Sequence, residues 1–430
     1  MDAEVWILGG TGRSARAIAA ELISRGIAPV LVGRDATRLA EAATRLGGGG
    51  LSDGSLGGGS LGGGSLGGGS LGGDRLGGGS LGGDRLGGGS LGGDRLGGGG
   101  LASDRVGGGG GRFGVGRTVV AGSVSEIAAE IGRQRPAVVI NTVGPFLTTA
   151  APIIEACLAG SHYLDLANDV AAVAAVLGWN DAAAAAGRTL VTGSGFGATA
   201  TESVVVKLCE NRPAPVDVRV DMVPSLAIEA GALGDALAGT LVEGLPGVEG
   251  GGRYQGRRYR NGRLAPAPLG GDPLEITLPD GAKVTTAVMP LGELMAAQRA
   301  SGAPSVISAS AEAPSSPVIR AVLPLATALL QIPAVRAFAR RRLAAVEFKA
   351  RERPREHSWG HARIRWADGT IREGWLRVGD AQAFTGAVPA EVARRLLAGE
   401  GRPGAHFPAA LFGPSLAESC GGAYLIEAHA

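Results

Sequence analysis

A chain of 430 residues is long enough for two separately cored domains, because single cores stop growing at about 250–300 residues. Its 41 Lys plus Arg against 39 Asp plus Glu leave a net charge of +2, too little surplus to grip a nucleic-acid backbone, so that class of partner is excluded. The three cysteines, Cys157, Cys209 and Cys420, lie far apart with no C-x-x-C spacing; neither a metal site nor a disulfide framework is expected, and a reducing cytoplasm fits.

The N-terminus runs directly into Val5–Leu8, an apolar strand, with no basic or cleavable segment of a secretion signal before it. Arg13–Arg25 reads as a helix, Pro29–Val32 as a strand and Ala36–Arg45 as a helix. From Leu46 to Leu101 a leucine recurs every five residues between GGGS and GGDR units, and the glycines continue to Gly111. This tract, 46–111, accounts for much of the excess of 77 glycines. One leucine in five buries too little apolar surface to offset backbone ordering, roughly 1–2 kcal/mol per residue. It reads as a flexible insertion, with a stacked pentad solenoid as the rival.

Beyond it the alternation resumes with strand Thr118–Ala121, helix Ser125–Arg133, strand Val138–Asn141 and helix Thr149–Ala159. Strand Tyr163–Leu166, helix Val170–Ala186 and strand Thr189–Val191 follow. Apolar strands alternating with helices predict an α/β fold, a doubly wound parallel sheet of the Rossmann type over 1–195. After Pro213 the pattern changes to stretches split by Pro and Gly, Val216–Val220, Leu274–Leu278 and Ala362–Trp366, with turns at Pro279-Asp280-Gly281 and Ala367-Asp368-Gly369. These predict an α+β second domain with antiparallel strands over 196–385, for substrate or dimerisation. The remainder, 386–430, with helix Glu391–Leu397, is expected to pack back on the first domain. Val318–Ile332 is apolar and is followed by Arg336, Arg340, Arg341 and Arg342. It falls short of the roughly 20 residues a spanning helix needs. Two readings stay open: a buried or homodimer-facing helix, or an interfacial helix over 318–342 making peripheral contact with an anionic membrane.

The first strand leads into GGTGRSARAIAAEL, where Gly10, Gly12 and Ala15 fill a G-x-G-x-x-A frame opening a helix. Gly10 is expected to make the tight turn, Gly12 to let the backbone approach a pyrophosphate, and Ala15 to permit close helix–strand packing. Gly9, Thr11, Arg13 and Ser14 complete the loop at the helix N-terminus, whose amides suit an anion. The second strand ends Val32-Gly33-Arg34, where NAD enzymes usually carry an acid. Gly33 leaves room and Arg34 can pair with a 2′-phosphate, which favours NADP; neighbouring Asp35 keeps NAD open. Val143, Gly144 and Pro145 are expected to form a backbone wall beside the nicotinamide. Tyr163 with Asp165, or His162, are candidate proton donors for hydride chemistry, and Glu202 a helix cap.

The motifs GGTGRSA, LVGRD, INTVGPF, ACLAGSHYLDLAND, GSGFG and PGAHFPAALFG together resemble the actinobacterial saccharopine dehydrogenase-like NADP-binding oxidoreductases, which include trans-acting enoyl reductases. The resemblance implies a Rossmann domain carrying NADPH and a second domain covering the acceptor. The leucine–glycine tract departs from that pattern, as does Asn168, which stands where many relatives have a Gly-Glu pair. No tyrosine has a lysine four residues on, so a short-chain dehydrogenase dyad is excluded, and Cys157 reads as packing rather than a nucleophile. The expected activity is NAD(P)H-dependent reduction of a C=C or C=N bond in a small-molecule substrate, hydrophobic or acyl; the alternative is a non-catalytic NADP sensor or scaffold.

Overall fold

The computed structural model describes residues 3–47, 114–228 and 230–426. Almost all of the leucine–glycine tract, and with it both readings of that tract, lies outside the described residues.

The N-terminal half runs β1 (Val5–Leu8), α1 (Arg13–Ser24), β2 (Pro29–Gly33), α2 (Ala36–Gly47), β3 (Arg117–Val120), α3 (Val124–Gln134), β4 (Val138–Asn141) and α4 (Phe146–Cys157). It continues through β5 (His162–Asp165), α5 (Val170–Leu177), α6 (Asn180–Ala185) and β6 (Thr189–Val191). The strands pair in parallel in the order β3-β2-β1-β4-β5-β6. Every residue of β1 and β4 is buried, which is why these strands are continuous apolar runs ending in one polar residue, Asn141. Strand order reverses between β1 and β4, and the crevice above that point is where such sheets bind ligands. Helix α1 turns Ala15, Ile18, Ala19 and Leu22 to the sheet, a spacing of three and four residues.

Next come α7 (Phe196–Cys209), β7 (Asp217–Val223), β8 (Gly231–Ala232), α8 (Asp235–Glu243), β9 (Gly256–Arg260), β10 (Arg263–Ala267), β11 (Leu274–Thr277), β12 (Lys283–Val288), α9 (Gly292–Ser301) and β13 (Ser305–Ser310). The chain closes with α10 (Pro317–Leu330), α11 (Pro333–Ala344), β14 (Glu347–Phe348), β15 (Ser358–Arg365), β16 (Ile371–Val378), α12 (Ala381–Leu397), β17 (Gly404–His406), α13 (Pro408–Phe412), α14 (Ser415–Ser419) and β18 (Ala423–Ile426). The second sheet has the order β10-β9-β13-β7-β15-β16-β18, with β12 also on β13 and β11 on β12. The hairpins β11–β12 and β15–β16 fall at the two predicted turns. The sheet is mixed, because β13 lies parallel to β7 after the crossover through α9. A pair of short strands, β8 and β14, ties α8 and α11 into a small lobe beside it.

Three local expectations change. The predicted helix Val170–Ala186 is two helices broken at Gly178-Trp179, whose amides close the end of α5. Helix α4 begins at Phe146, directly after Pro145, rather than at Thr149. The C-terminal segment is shared: β17 extends the parallel sheet beside β6, whereas β18 joins β16 of the second sheet. Helix α12 crosses α1 closely at Gly386, where a Cβ would lie 2.9 Å from that of Ala17.

Candidate functional site

The turn after β1 is made by Gly9, which has φ +75°, and not by Gly10. Thr142 and Val143 press on Gly9, so this position has neither the backbone freedom nor the space for a side chain. Gly10 instead lets the loop lie on β2, where a Cβ would come within 2.8 Å of Leu31 Cβ. The Gly12 amide donates to the Gly9 carbonyl at 2.8 Å, and Arg16 braces the loop through the Thr11 carbonyl at 3.0 Å. Gly12 is the N-cap of α1 but offers no capping side chain, and the first turn holds no acid. The first-turn amides, with Arg13 and Ser14 beside them, are therefore free of the usual cap and suited to an anion such as a pyrophosphate.

Gly33 packs against Leu39 at the end of β2, and Arg34 beyond it is exposed, with no hydrogen bond or ion pair among the described residues. Asp35 accepts from the Arg38 amide at 3.0 Å and caps α2, which commits its carboxylate to the helix. The wall after β4 is held from beneath: Asn141 Oδ1 accepts from the Val143 amide at 3.0 Å, and Thr149 Oγ1 donates to the Val143 carbonyl at 2.6 Å. Gly144 and Pro145, joined by a cis peptide, continue that wall into α4. Residues Gly9–Ser14, Gly33–Arg34 and Val143–Pro145 thus gather at the carboxyl edge of β1, β2 and β4.

Beside this edge opens a cleft of about 600 Å³ between the two domains. The parallel-sheet side supplies Arg13, Ser14, Leu166–Asn168 and the Gly193–Ala198 turn, with Gln382 and Thr385 from α12. The opposite side is largely apolar, with Met222, Leu226, Ile228, Leu241, Val346 and Phe348, and carries Arg351 and Arg355. Arg355 is anchored through the Pro224 carbonyl at 2.7 Å, and burial lowers its pKa. Gln382 Nε2 donates to Ser14 Oγ at 3.2 Å, tying α12 to the glycine loop.

None of the three candidate acids lines this cleft. Tyr163 is fully buried and donates to Asp165 Oδ2 at 2.9 Å while accepting from Asn141. Burial, then the Asp165 charge, push the phenol well above its ordinary range. Asp165, also fully buried, accepts from Thr192 Oγ1, the Gly193 amide and the Ala167 amide. Burial raises it to about 6 against these bonds. The pair therefore fastens together the loops that follow β5 and β6. His162 stands at the opening of β5, where its Nδ1 accepts from the Thr189 amide at 3.0 Å, three residues from the strand's carboxyl end. The proton-donor expectation for these residues gives way to a positioning role for Tyr163 and Asp165 and a strand-pairing role for His162.

Glu202 does cap a helix, but a distant one: from the middle of α7 it accepts the Ala409 and Ala410 amides at 2.9 and 2.8 Å, closing α13. Phe407 packs beneath Gly193, so the tail motif and the GSGFG turn support one another. Cys157 is buried, and burial pushes its thiol far up, away from nucleophile chemistry.

Sequence reasoning missed Glu293. It opens α9 and is 1% exposed, and neither oxygen has a hydrogen-bond partner among the described residues. Oε1 lies 1.9 Å from where a Cβ on Gly197 would be, with Met222 Sδ at 2.6 Å from the same point. Burial, with the Glu312 charge adding to it, raises the carboxyl to about 7. Gly197, Met222, Asn168 and Glu312 all line the cleft, so an acid able to hold its proton near neutrality stands directly behind the cleft wall. No local pattern marks it: the carboxyl is sealed in only when α9 packs on α7.

A Rossmann-type parallel sheet, a mixed-sheet domain and a cleft between them at the glycine loop make up a two-domain α/β fold. In fold the chain is similar to the apo saccharopine dehydrogenase (L-Glu forming) from Saccharomyces cerevisiae, with a TM-score of 0.55, 11% identity, and 99% of this chain and 100% of that one covered. More distant similarities are to a probable dehydrogenase from Thermotoga maritima (TM-score 0.41, 10% identity, 98% of each chain) and to the WlbA dehydrogenase from Thermus thermophilus in complex with NAD and α-ketoglutarate (TM-score 0.37, 12% identity, 97% and 94%). No protein-family model and no curated protein matches the sequence.

Proposed function

We propose that this protein is an NADPH-dependent oxidoreductase that reduces a C=C or C=N bond in a hydrophobic or acyl substrate. The observation that carries the reading is the cleft itself, which joins an uncapped, acid-free helix N-terminus to a largely apolar wall with arginines on both sides. When bound, the nicotinamide cofactor supplies the hydride. The chain's own part is to hold the pyrophosphate on the α1 amides, to seat the ring against Val143–Pro145, and to present the acceptor from the apolar side. Glu293, behind Gly197 and not itself lining the cleft, is the group suited to hold the proton that the reduced product takes up, relayed by one water admitted at the Gly197 turn. Its presence favours catalysis over the sensor or scaffold reading. The apolar lining favours a hydrophobic substrate, and Arg351 and Arg355 offer an anchor for an anionic group.

For the cofactor, exposed Arg34 beside a committed Asp35 favours the 2′-phosphate. Arg34→Ala is expected to weaken NADPH binding by about tenfold or more, roughly 1.4 kcal/mol, and to leave NADH unchanged. Titration of intrinsic fluorescence with both cofactors checks this, and equal losses for the two would refute the NADP assignment. The function is tested by following NADPH absorbance with enoyl thioester, imine and carbonyl panels. Tight NADPH binding with no oxidation by any of them would sink the reductase reading.

A further inference from the structure

The segment from Ala313 to Val346 carries five arginines and not one Asp or Glu. It forms α10 and α11, which meet at a bend of 112° and have no buried residue among those described. Helix α10 is apolar on two sides. Leu323, Thr327 and Leu330 are half-buried toward the protein, whereas Val318, Val322, Leu325 and Leu329 are exposed. Their spacing of four, three and four residues sets these four in one stripe along a single helix face. Val318 is 73% and Leu325 65% exposed, and Ile319, Ile332 and Phe338 (64%) widen the patch. Most of the large exposed apolar side chains of the described chain are therefore in this one place, which is what a binding surface looks like and not what scattered surface residues look like. Exposed Arg340, Arg341 and Arg342 follow on α11, and Arg342 lies over the Phe338 ring at 6.0 Å.

We propose that this face docks the protein on the surface of an anionic lipid bilayer, with the α10 stripe in the acyl boundary and the α11 arginines among the headgroups. Apolar side chains beside cations with no carboxylate between them match the two layers of such a surface. The bend and the length of the two helices suit lying in the interface; no single helix among the described residues is long and apolar enough to cross it. A second copy of the chain fits less well, since a two-fold contact on this face would set one arginine cluster against the other. The face is continuous with the cleft: Leu343 and Val346, at the end of α11, line it. Docking would thus hold the apolar side of the cleft next to the lipid. The inference stands independently of the reductase reading, because it concerns adsorption alone.

The test is flotation of the full-length protein with vesicles of phosphatidylcholine, with and without 30 mol% phosphatidylglycerol. Wild type is expected to float with the anionic vesicles and to be weakened by salt. Each arginine near the surface contributes roughly a fivefold gain in partitioning, so neutralising Arg340, Arg341 and Arg342 to Gln should lower it on the order of a hundredfold. V322E/L325E should abolish flotation while keeping wild-type NADPH binding and melting temperature, which shows that the fold is intact. Failure of wild type to bind anionic vesicles would overturn the proposal, as would equal binding to neutral ones. So would a wild-type dimer in size-exclusion chromatography without lipid that V322E/L325E converts to monomer, since the face would then join two copies.

Discussion

Glu293→Gln is expected to lower the turnover of the reduction by about a hundredfold or more, the usual contribution of a positioned general acid, while leaving NADPH affinity unchanged. Glutamine keeps the shape and burial of the side chain but has no acidic proton, and the glycine loop that holds the cofactor is built from other residues. The pH profile separates this from a structural effect. With the carboxyl raised to about 7, the proton-holding form is present below that value, so wild-type turnover should fall as pH rises through it. The variant should lose this limb. Gly197→Ala should produce a similar loss, because the new methyl would stand 1.9 Å from Glu293 Oε1 and drive the carboxyl away. The variant E293Q should also melt higher than wild type above pH 7, where the native protein must either bury an unpaired carboxylate or keep it protonated. Equal turnover and equal pH profiles for wild type and E293Q would remove Glu293 from the chemistry.

How the fold follows from the sequence, and where it does not, is plain at particular residues. The β1–α1–β2 unit is written locally, in four buried residues, a glycine loop and a helix with apolar positions three and four apart. Even there the roles of Gly9 and Gly10 exchange, because which glycine bears the positive φ depends on how Thr142 and Leu31 crowd the loop. Tyr163 and Asp165 sit near the carboxyl end of β5, where ligands are expected. Two residues apart, they share one face of the strand, and that face turns to Asn141 and Thr192 instead of the cleft. Glu293 is separated from Gly197 by about half of the second domain and announces itself only through the burial that packing imposes. For α10 the composition allowed both a covered and an exposed helix; the described neighbours leave it uncovered.

Asp221→Asn is expected to cost about 3–5 kcal/mol of stability, the loss typical when one partner of a buried ion pair is removed. Asp221, fully buried on β7, meets Arg219 at 3.0 Å, His361 Nδ1 at 2.9 Å and the Thr286 hydroxyl at 2.6 Å. His361 donates from its other nitrogen to Glu373 at 2.8 Å and stacks on Trp375. Burial pushes the Asp221 carboxyl up, but the His361 bond and charge, the Arg219 charge and the Thr286 bond outweigh it and hold it at about 2. Burial likewise lowers His361, and its bonds to the two carboxylates outweigh that and raise it. The two shifts bound a window. A lowered acid lends its stability above its unfolded value, about 3.8, and loses it as pH falls through about 2; a raised histidine lends it below about 6.5 and loses it as pH rises through the folded value. The network is therefore fully stabilising between about pH 4 and 6.5. Thermal melts of wild type and D221N at pH 5.5 and pH 9 should show the larger gap at pH 5.5; equal gaps would refute the charged His361. The same change should reach the cleft, because Met222 and Thr285, neighbours of Asp221 and Thr286 in their strands, form part of its wall. A rise in KM in D221N, without a change in NADPH affinity, is the corresponding functional readout.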